Sequence, residues 1–156
     1  MSSRGQNFAS CKERGKQGEN LVYSWMRRSG WEVQDVRSDP TYQKRDIDYI
    51  ASKDGKTRTL EVKNDTYIAK SGNVCLEIQV GDKPGWLQCI EAEFLLVVGQ
   101  DLMVRIFRMT DIWRYLMSKE THRTHVNKDG DTLCLTYLLP IESIPHKTCA
   151  LLPPDP

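Results

Sequence analysis

Apolar residues recur along this chain at two spacings, and the switches between them mark out its elements. Over residues 12–28 the spacing is helical: Gly18, Leu21, Val22, Trp25 and Met26 form one stripe. Ser29-Gly30 stops that helix, with Arg27 and Arg28 favourably placed in its last turn. Residues 1–10 are polar and expected to fray. Residues 31–36 alternate as a first strand, and 38–45 read as a loop whose turn starts at Asp39-Pro40. Residues 46–63 alternate on both sides of Asp54-Gly55, a dipeptide suited to a tight turn with positive φ at both central residues. Further strands are predicted at 74–80, 93–98, 103–108 and 132–138. A short helix is expected at 86–90, and a longer one at 110–118 with Thr110 or Asp111 as its cap. Residues 64–73 and 119–131 read as polar loops, the second holding another Asp-Gly turn at Asp129-Gly130, and the tail ends in prolines.

The hairpin carries the chemistry. If Asp54 and Gly55 form a two-residue turn, Asp48 lies opposite Glu61 and Asp46 opposite Lys63. Strand side chains alternate faces, so these four project from one face while Ile47, Tyr49, Leu60 and Val62 enter the core. Like charges directly across a ladder destabilise it by up to ~1 kcal/mol. Two close carboxylates also hinder each other's ionisation unless a cation sits between them. Oxygen ligands suit a hard ion, Mg²⁺ or Mn²⁺, bound through one or two carboxylates with a substrate phosphate. A lysine one step along the face can stabilise charge on that phosphate. The pattern points to metal-assisted phosphodiester hydrolysis.

Composition narrows the setting. The 156 residues suit one domain, with a core over about 12–118 followed by a last strand and proline-rich tail over 119–156. No apolar run reaches membrane-spanning length, and the first residues lack a secretory hydrophobic region. Five cysteines, at 11, 75, 89, 134 and 149, share no short spacing and read as reduced thiols of a cytoplasmic chain. Net charge is only +1, but residues 1–45 hold nine Lys/Arg against five Asp/Glu. A positive leading segment beside an acidic hairpin fits a phosphate-gripping surface, although ordinary solvated charge has the same pattern.

Gly18-Glu19 on a helix, Asp48-Tyr-Ile-Ala51 and Glu61-Val-Lys63 at a strand end, in that order, resemble the PD-(D/E)xK nuclease superfamily. The order looks most like Holliday-junction resolvases and small phage nucleases, and the likeness covers about residues 15–98. It implies an α/β, restriction-endonuclease-like fold: a mixed four- or five-stranded sheet flanked by helices, with an αβββαβ core. It implies that Asp48, Glu61, the Val62 main-chain carbonyl and also Glu19 hold one or two Mg²⁺. Lys63 would then orient the attacking water, making Asp48, Glu61 and Lys63 the catalytic set. DNA is the implied partner, with a homodimer as in resolvases that cut four-way junctions. One departure is that Ile47, not Pro, precedes Asp48.

Other residues are less decisive. Asp46 rivals Asp48 for the metal. Glu77 and Gln79 share a strand face that borders the cleft or meets solvent. Trp86 stacks on a base or sugar, or anchors a core. Arg105 and Arg108 touch phosphates or line a solvated edge. His122, His125 and Cys134 lack the paired spacing of a zinc site. Two functions follow, a Mg²⁺-dependent DNA nuclease and, as the alternative, a catalytically silent nuclease-fold protein that binds DNA as an accessory.

Overall fold

The computed structural model describes residues 3–154, with side chains from residue 12 onward except that of residue 129. Residues 1–2 of the segment expected to fray, residues 155–156 of the tail, and the side chain of Cys11 lie outside the described residues. In chain order the elements are α1 (Ser3–Arg28), β1 (Glu32–Asp35), α2 (Pro40–Gln43), β2 (Tyr49–Lys53) and β3 (Lys56–Asp65). There follow α3 (Ile68–Ser71), β4 (Asn73–Val80), β5 (Lys83–Pro84), α4 (Trp86–Cys89), β6 (Phe94–Gly99) and β7 (Met103–Arg108). The chain closes with α5 (Met109–Met117), β8 (Thr124–Asp129), β9 (Thr132–Pro140), a 3₁₀ turn (Ile141–Ser143) and β10 (His146–Ala150). None of the described helices is long and apolar enough to cross a membrane.

The fold is mixed α/β, a multi-stranded sheet flanked by helices. Six strands form the main sheet in the order β1-β2-β3-β6-β7-β10, antiparallel except for the parallel pair β3 and β6. The expected αβββαβ order is present as α1-β1-β2-β3-α4-β6, but α4 is a single turn. Most of the crossover from β3 to β6 is instead spent on β4 and β5, which join β8 and β9 from after α5 in a second, four-stranded antiparallel sheet, β5-β4-β9-β8.

Alternation along the central strands separates two cores. Leu60, Val62, Leu96, Val98 and Val104 turn towards α1, where Val22 and Met26 meet Tyr49 and Ala51. Leu95, Val97 and Phe107 point the other way, onto Val74, Leu76 and Leu139 of the second sheet and Ile112 of α5. Gly18 lets α1 lie close on β3: a Cβ there would sit 3.3 Å from Asn64 Oδ1.

Several boundaries differ from expectation for physical reasons. Helix α1 starts at Ser3, not near residue 12. Helix α5 begins directly after β7 with no side-chain cap from Thr110 or Asp111. The Met109 N–H donates to the Glu93 carbonyl, and burial of Met109 and Ile112 anchors the first turn in place of a cap. Residues 124–129, expected in a loop, form β8 through the Asp129-Gly130 hairpin, and Gly130 has φ 63°. The tail supplies β10 to the edge of the main sheet. Both strands are largely exposed, and so carry little of the apolar alternation that marks a strand in a sequence.

The second sheet is kinked where it meets α4. Glu77 pairs with Thr136 but Gln79 with Leu135, so an extra residue bulges at Ile78. Neighbours on β9 face opposite ways, so Glu77 and Gln79 do not share the face that simple alternation gave them. The Ile78 carbonyl accepts from Gly85 N–H (2.7 Å) and Gln88 Nε2 (2.6 Å), locking the bulge to the start of α4. A Cβ on Gly85 would lie 2.3 Å from the Glu77 carbonyl oxygen, with no side chain able to yield. Gly85→Ala is therefore expected to destabilise the fold by roughly 1–3 kcal/mol, read by urea denaturation. An unchanged unfolding midpoint would contradict this packing.

Candidate functional site

The β2–β3 hairpin forms as its turn dictates. Asp54 and Gly55 take φ of 52° and 74°, and Tyr49 pairs with Leu60. Asp48 lies one residue before β2, just past the last paired residues Tyr49 and Leu60, and its N–H donates to the Leu60 carbonyl at 2.8 Å. Its side chain turns back across the strand pair, where Oδ2 accepts from the Val62 N–H at 2.9 Å. Asp48 and Glu61 are thus side by side, their carboxyl groups in direct contact, and Val62 enters the site through its amide.

Glu61 is 4% exposed, and Lys63 Nζ lies 2.6 Å from its Oε1. Burial pushes the Glu61 carboxyl up to about 8, with Asp48 adding to the rise and Lys63 opposing it. Asp48 is also raised, mainly by burial, against the Val62 N–H that favours its ionised form. The short Lys63 contact favours an ionised Glu61, while loss of water and the neighbouring Asp48 favour its protonated form, and the net effect is upward. Lys63 is raised despite its burial, because Glu61, Asp46 and Asp48 surround it with negative charge. Its ammonium also lies 5.1 Å from the centre of the Trp86 ring. Trp86, weighed from sequence as base stacker or core anchor, is half-buried on the inter-sheet core and backs the lysine.

Glu19 and Asp46 are placed differently from expectation. The Glu19 carboxylate is ion-paired with Arg37 (2.7 Å), which also grips Asp35 and lies 5.2 Å from the Tyr49 ring centre. Tyr49 in turn donates its hydroxyl to the Glu19 carbonyl at 3.0 Å, fixing that turn of α1. Glu19 remains close enough to oppose ionisation of Asp48. Its carboxylate is nonetheless committed to Arg37, and no group of three His, Cys, Asp or Glu suited to a metal is assembled among the described residues. Asp46 has left the ladder: it takes φ 48°, and Ile47 donates to the Tyr42 carbonyl, so Ile47 joins Val36 and Ala92 in a separate small core. Asp46 reaches Lys63 electrostatically from this turn, not as a cross-strand partner.

Arg37 is the residue that sequence reasoning missed. Its spacing of two from Asp35 hinted at that ion pair, but nothing in the spacing showed that Glu19 would reach it. Arg105 is buried and doubly bonded to Asp101 (2.9 and 2.8 Å), so it is not available to phosphate. Arg108 lies over Phe94 on the opposite face of the sheet from Glu61. Gln79 donates to the Gly81 carbonyl away from the site. His122 bonds the Leu116 carbonyl and packs between Tyr115 and Tyr137, in keeping with an ordinary structural histidine.

Two cavities flank the main sheet. The larger, about 660 Å³, opens beside the C-terminal end of α1 and includes none of Asp48, Glu61 or Lys63. The smaller, about 300 Å³, starts at Lys63 and runs between the two sheets. The chemistry lies beside the smaller one. The buried Glu61 and half-buried Asp48 carboxyls, each disfavouring ionisation of the other, form a donor set that suits a hard divalent ion, which needs only one or two carboxylates from the protein.

No protein-family model and no curated protein matches the sequence. The solved structure of a bacterial homing endonuclease, I-Ssp6803I, is similar, with a TM-score of 0.50 and 17% sequence identity, over 78% of this chain and 82% of that one. The likeness shows a fold shared with a nuclease.

The raised Glu61 carboxyl has a consequence for stability. The folded chain holds that proton more tightly than the unfolded one, so the contribution of Glu61 to metal-free stability is full below the ordinary carboxylate range. It should then fall as pH rises from about 4.5 towards about 8. Glu61→Gln removes this titration and should be flatter over that window. Urea unfolding in a chelator across that pH range measures both. A wild-type profile that does not fall relative to Glu61→Gln across that window would contradict the raised Glu61 carboxyl.

Proposed function

We infer that this chain is a nuclease of the PD-(D/E)xK kind, hydrolysing DNA phosphodiester bonds with Mg²⁺ or Mn²⁺. The observation that carries the reading is the grouping of Asp48, Glu61 and Lys63 on one strand pair, with the lysine 2.6 Å from Glu61 and itself lining the inter-sheet cavity. The fold shared with a homing endonuclease supports it.

Asp48 and Glu61, with the Val62 carbonyl, would hold the ion, and Glu19 would join them only by releasing Arg37. When bound, such an ion polarises a phosphoryl oxygen and acidifies water. An ion held there would favour the ionised form of Glu61, since a ligating carboxylate must be ionised. Lys63, anchored between Glu61 and the Trp86 ring, presents its ammonium to the attacking water and to the charge that grows on the phosphate. Branched DNA cut by a homodimer is the form of the activity that the resemblance to resolvases favours. The Glu19–Arg37 pair favours a second reading, a silent nuclease-fold protein that binds DNA without turnover.

Product analysis on linear, nicked, flapped and four-way DNA with Mg²⁺ or Mn²⁺ tests these readings. Wild type is expected to cleave, and Glu61→Ala or Lys63→Ala to lose roughly a hundredfold or more of the rate while still binding DNA. Undiminished cleavage by both variants would falsify the assignment. DNA binding without Mn²⁺ uptake in calorimetry would favour the accessory role.

A further inference from the structure

The cavity beside Lys63 extends well past the three residues of the proposed chemistry. Its volume is about 300 Å³, at the small end of the range for ligand pockets, and its walls include Asn64, Tyr67, Glu77, Trp86 and Thr136. It lies between β3 of one sheet and β4 and β9 of the other, so an occupant would adjoin whatever Lys63 holds.

The lining rules out one kind of occupant and fits another. Lys63 is the one cation along it, while Glu77 and Asp65 are acidic, so a second phosphate would be repelled. Tyr67, 72% exposed, and the half-buried Trp86 offer aromatic surface. Glu77 has no ion pair among the described residues, so its carboxylate is free to accept hydrogen bonds and, when ionised, can only accept them. Asn64 and Thr136 add neutral polar groups. An uncharged aromatic ring with an amino edge meets all of these demands, and the space suits one ring system, not a base pair.

The geometry points to a base pocket: a single unpaired DNA base bearing an exocyclic amino group seats between the sheets, its amino group donating to Glu77. The placement of this base next to the scissile phosphate rests on the nuclease reading. A base stacked in a duplex cannot enter, so the pocket selects DNA with an unpaired or extruded nucleotide at the cleavage point. Cytosine presents an N4 amino donor where thymine presents the O4 acceptor, which a carboxylate repels.

Binding of labelled oligo(dC) and oligo(dT) of equal length, measured by fluorescence anisotropy at about pH 8 in a chelator, tests the pocket without cleavage. Wild type is expected to bind oligo(dC) on the order of tenfold more tightly. Glu77→Leu should bring the two within about twofold by weakening oligo(dC) alone, and Tyr67→Ala should weaken both by loss of stacking. Should Glu77→Leu fail to fold, Glu77→Gln, whose amide can also donate to thymine, should narrow the preference in the same sense. Equal binding of the two oligomers by wild type, no binding of either, or equal loss of both in the Glu77 variants would overturn the proposal. Cleavage without the oligo(dC) preference would remove the pocket and leave the nuclease. The preference in a chain that cuts nothing would remove the nuclease and leave the pocket.

Discussion

The burial of Glu61 beside Asp48 is the constraint that organises the molecule. A carboxyl almost out of contact with water, with another carboxyl beside it, is unfavourable unless something of opposite charge is close. Lys63 supplies part of that charge from the same strand face, and the Val62 amide stabilises Asp48. The arrangement holds because β3 is bonded along both edges, antiparallel to β2 and parallel to β6. Turning Glu61 out to solvent would turn Leu60 and Val62 out of the core under α1. The acid stays buried because the hydrophobic residues next to it must be.

The second sheet sets what surrounds that face. In the minimal core order a helix would cross from β3 to β6, whereas here the crossover carries β4 and β5 and only one turn of helix. The bulge at Ile78, locked by Gly85 and Gln88, delivers Trp86 under the ammonium of Lys63 and leaves Glu77 facing the cavity. One local irregularity therefore positions both the residue that supports Lys63 and the polar wall opposite it.

Charge on the other flank is handled separately. Arg37 neutralises Glu19 and Asp35 and lies against Tyr49, whose hydroxyl holds the backbone of α1 at Glu19. The same residue that could enlarge the acidic site is thereby held back from it. Arg105, by contrast, closes the β6–β7 turn through Asp101 and takes no part in the site.

By itself the sequence determined the hairpin, and with it the facing of Asp48 and Glu61. An Asp-Gly turn and period-two alternation are local, and a register error of one residue would have placed every apolar side chain in water. It also determined the amphipathic α1 and the central strands, whose two faces are sorted by burial. Only the tertiary structure decided the fate of Glu19, because an ion pair between a helix and the loop that follows the next strand leaves no local signature. Exit from the ladder moved Asp46 out of the register that a pure hairpin implies. Strands β8 and β10 went unread because their side chains are mostly exposed, so pairing and not patterning makes them strands. The bulge that separates Glu77 from Gln79 depends on Gly85 approaching from another element, a contact that no periodicity records.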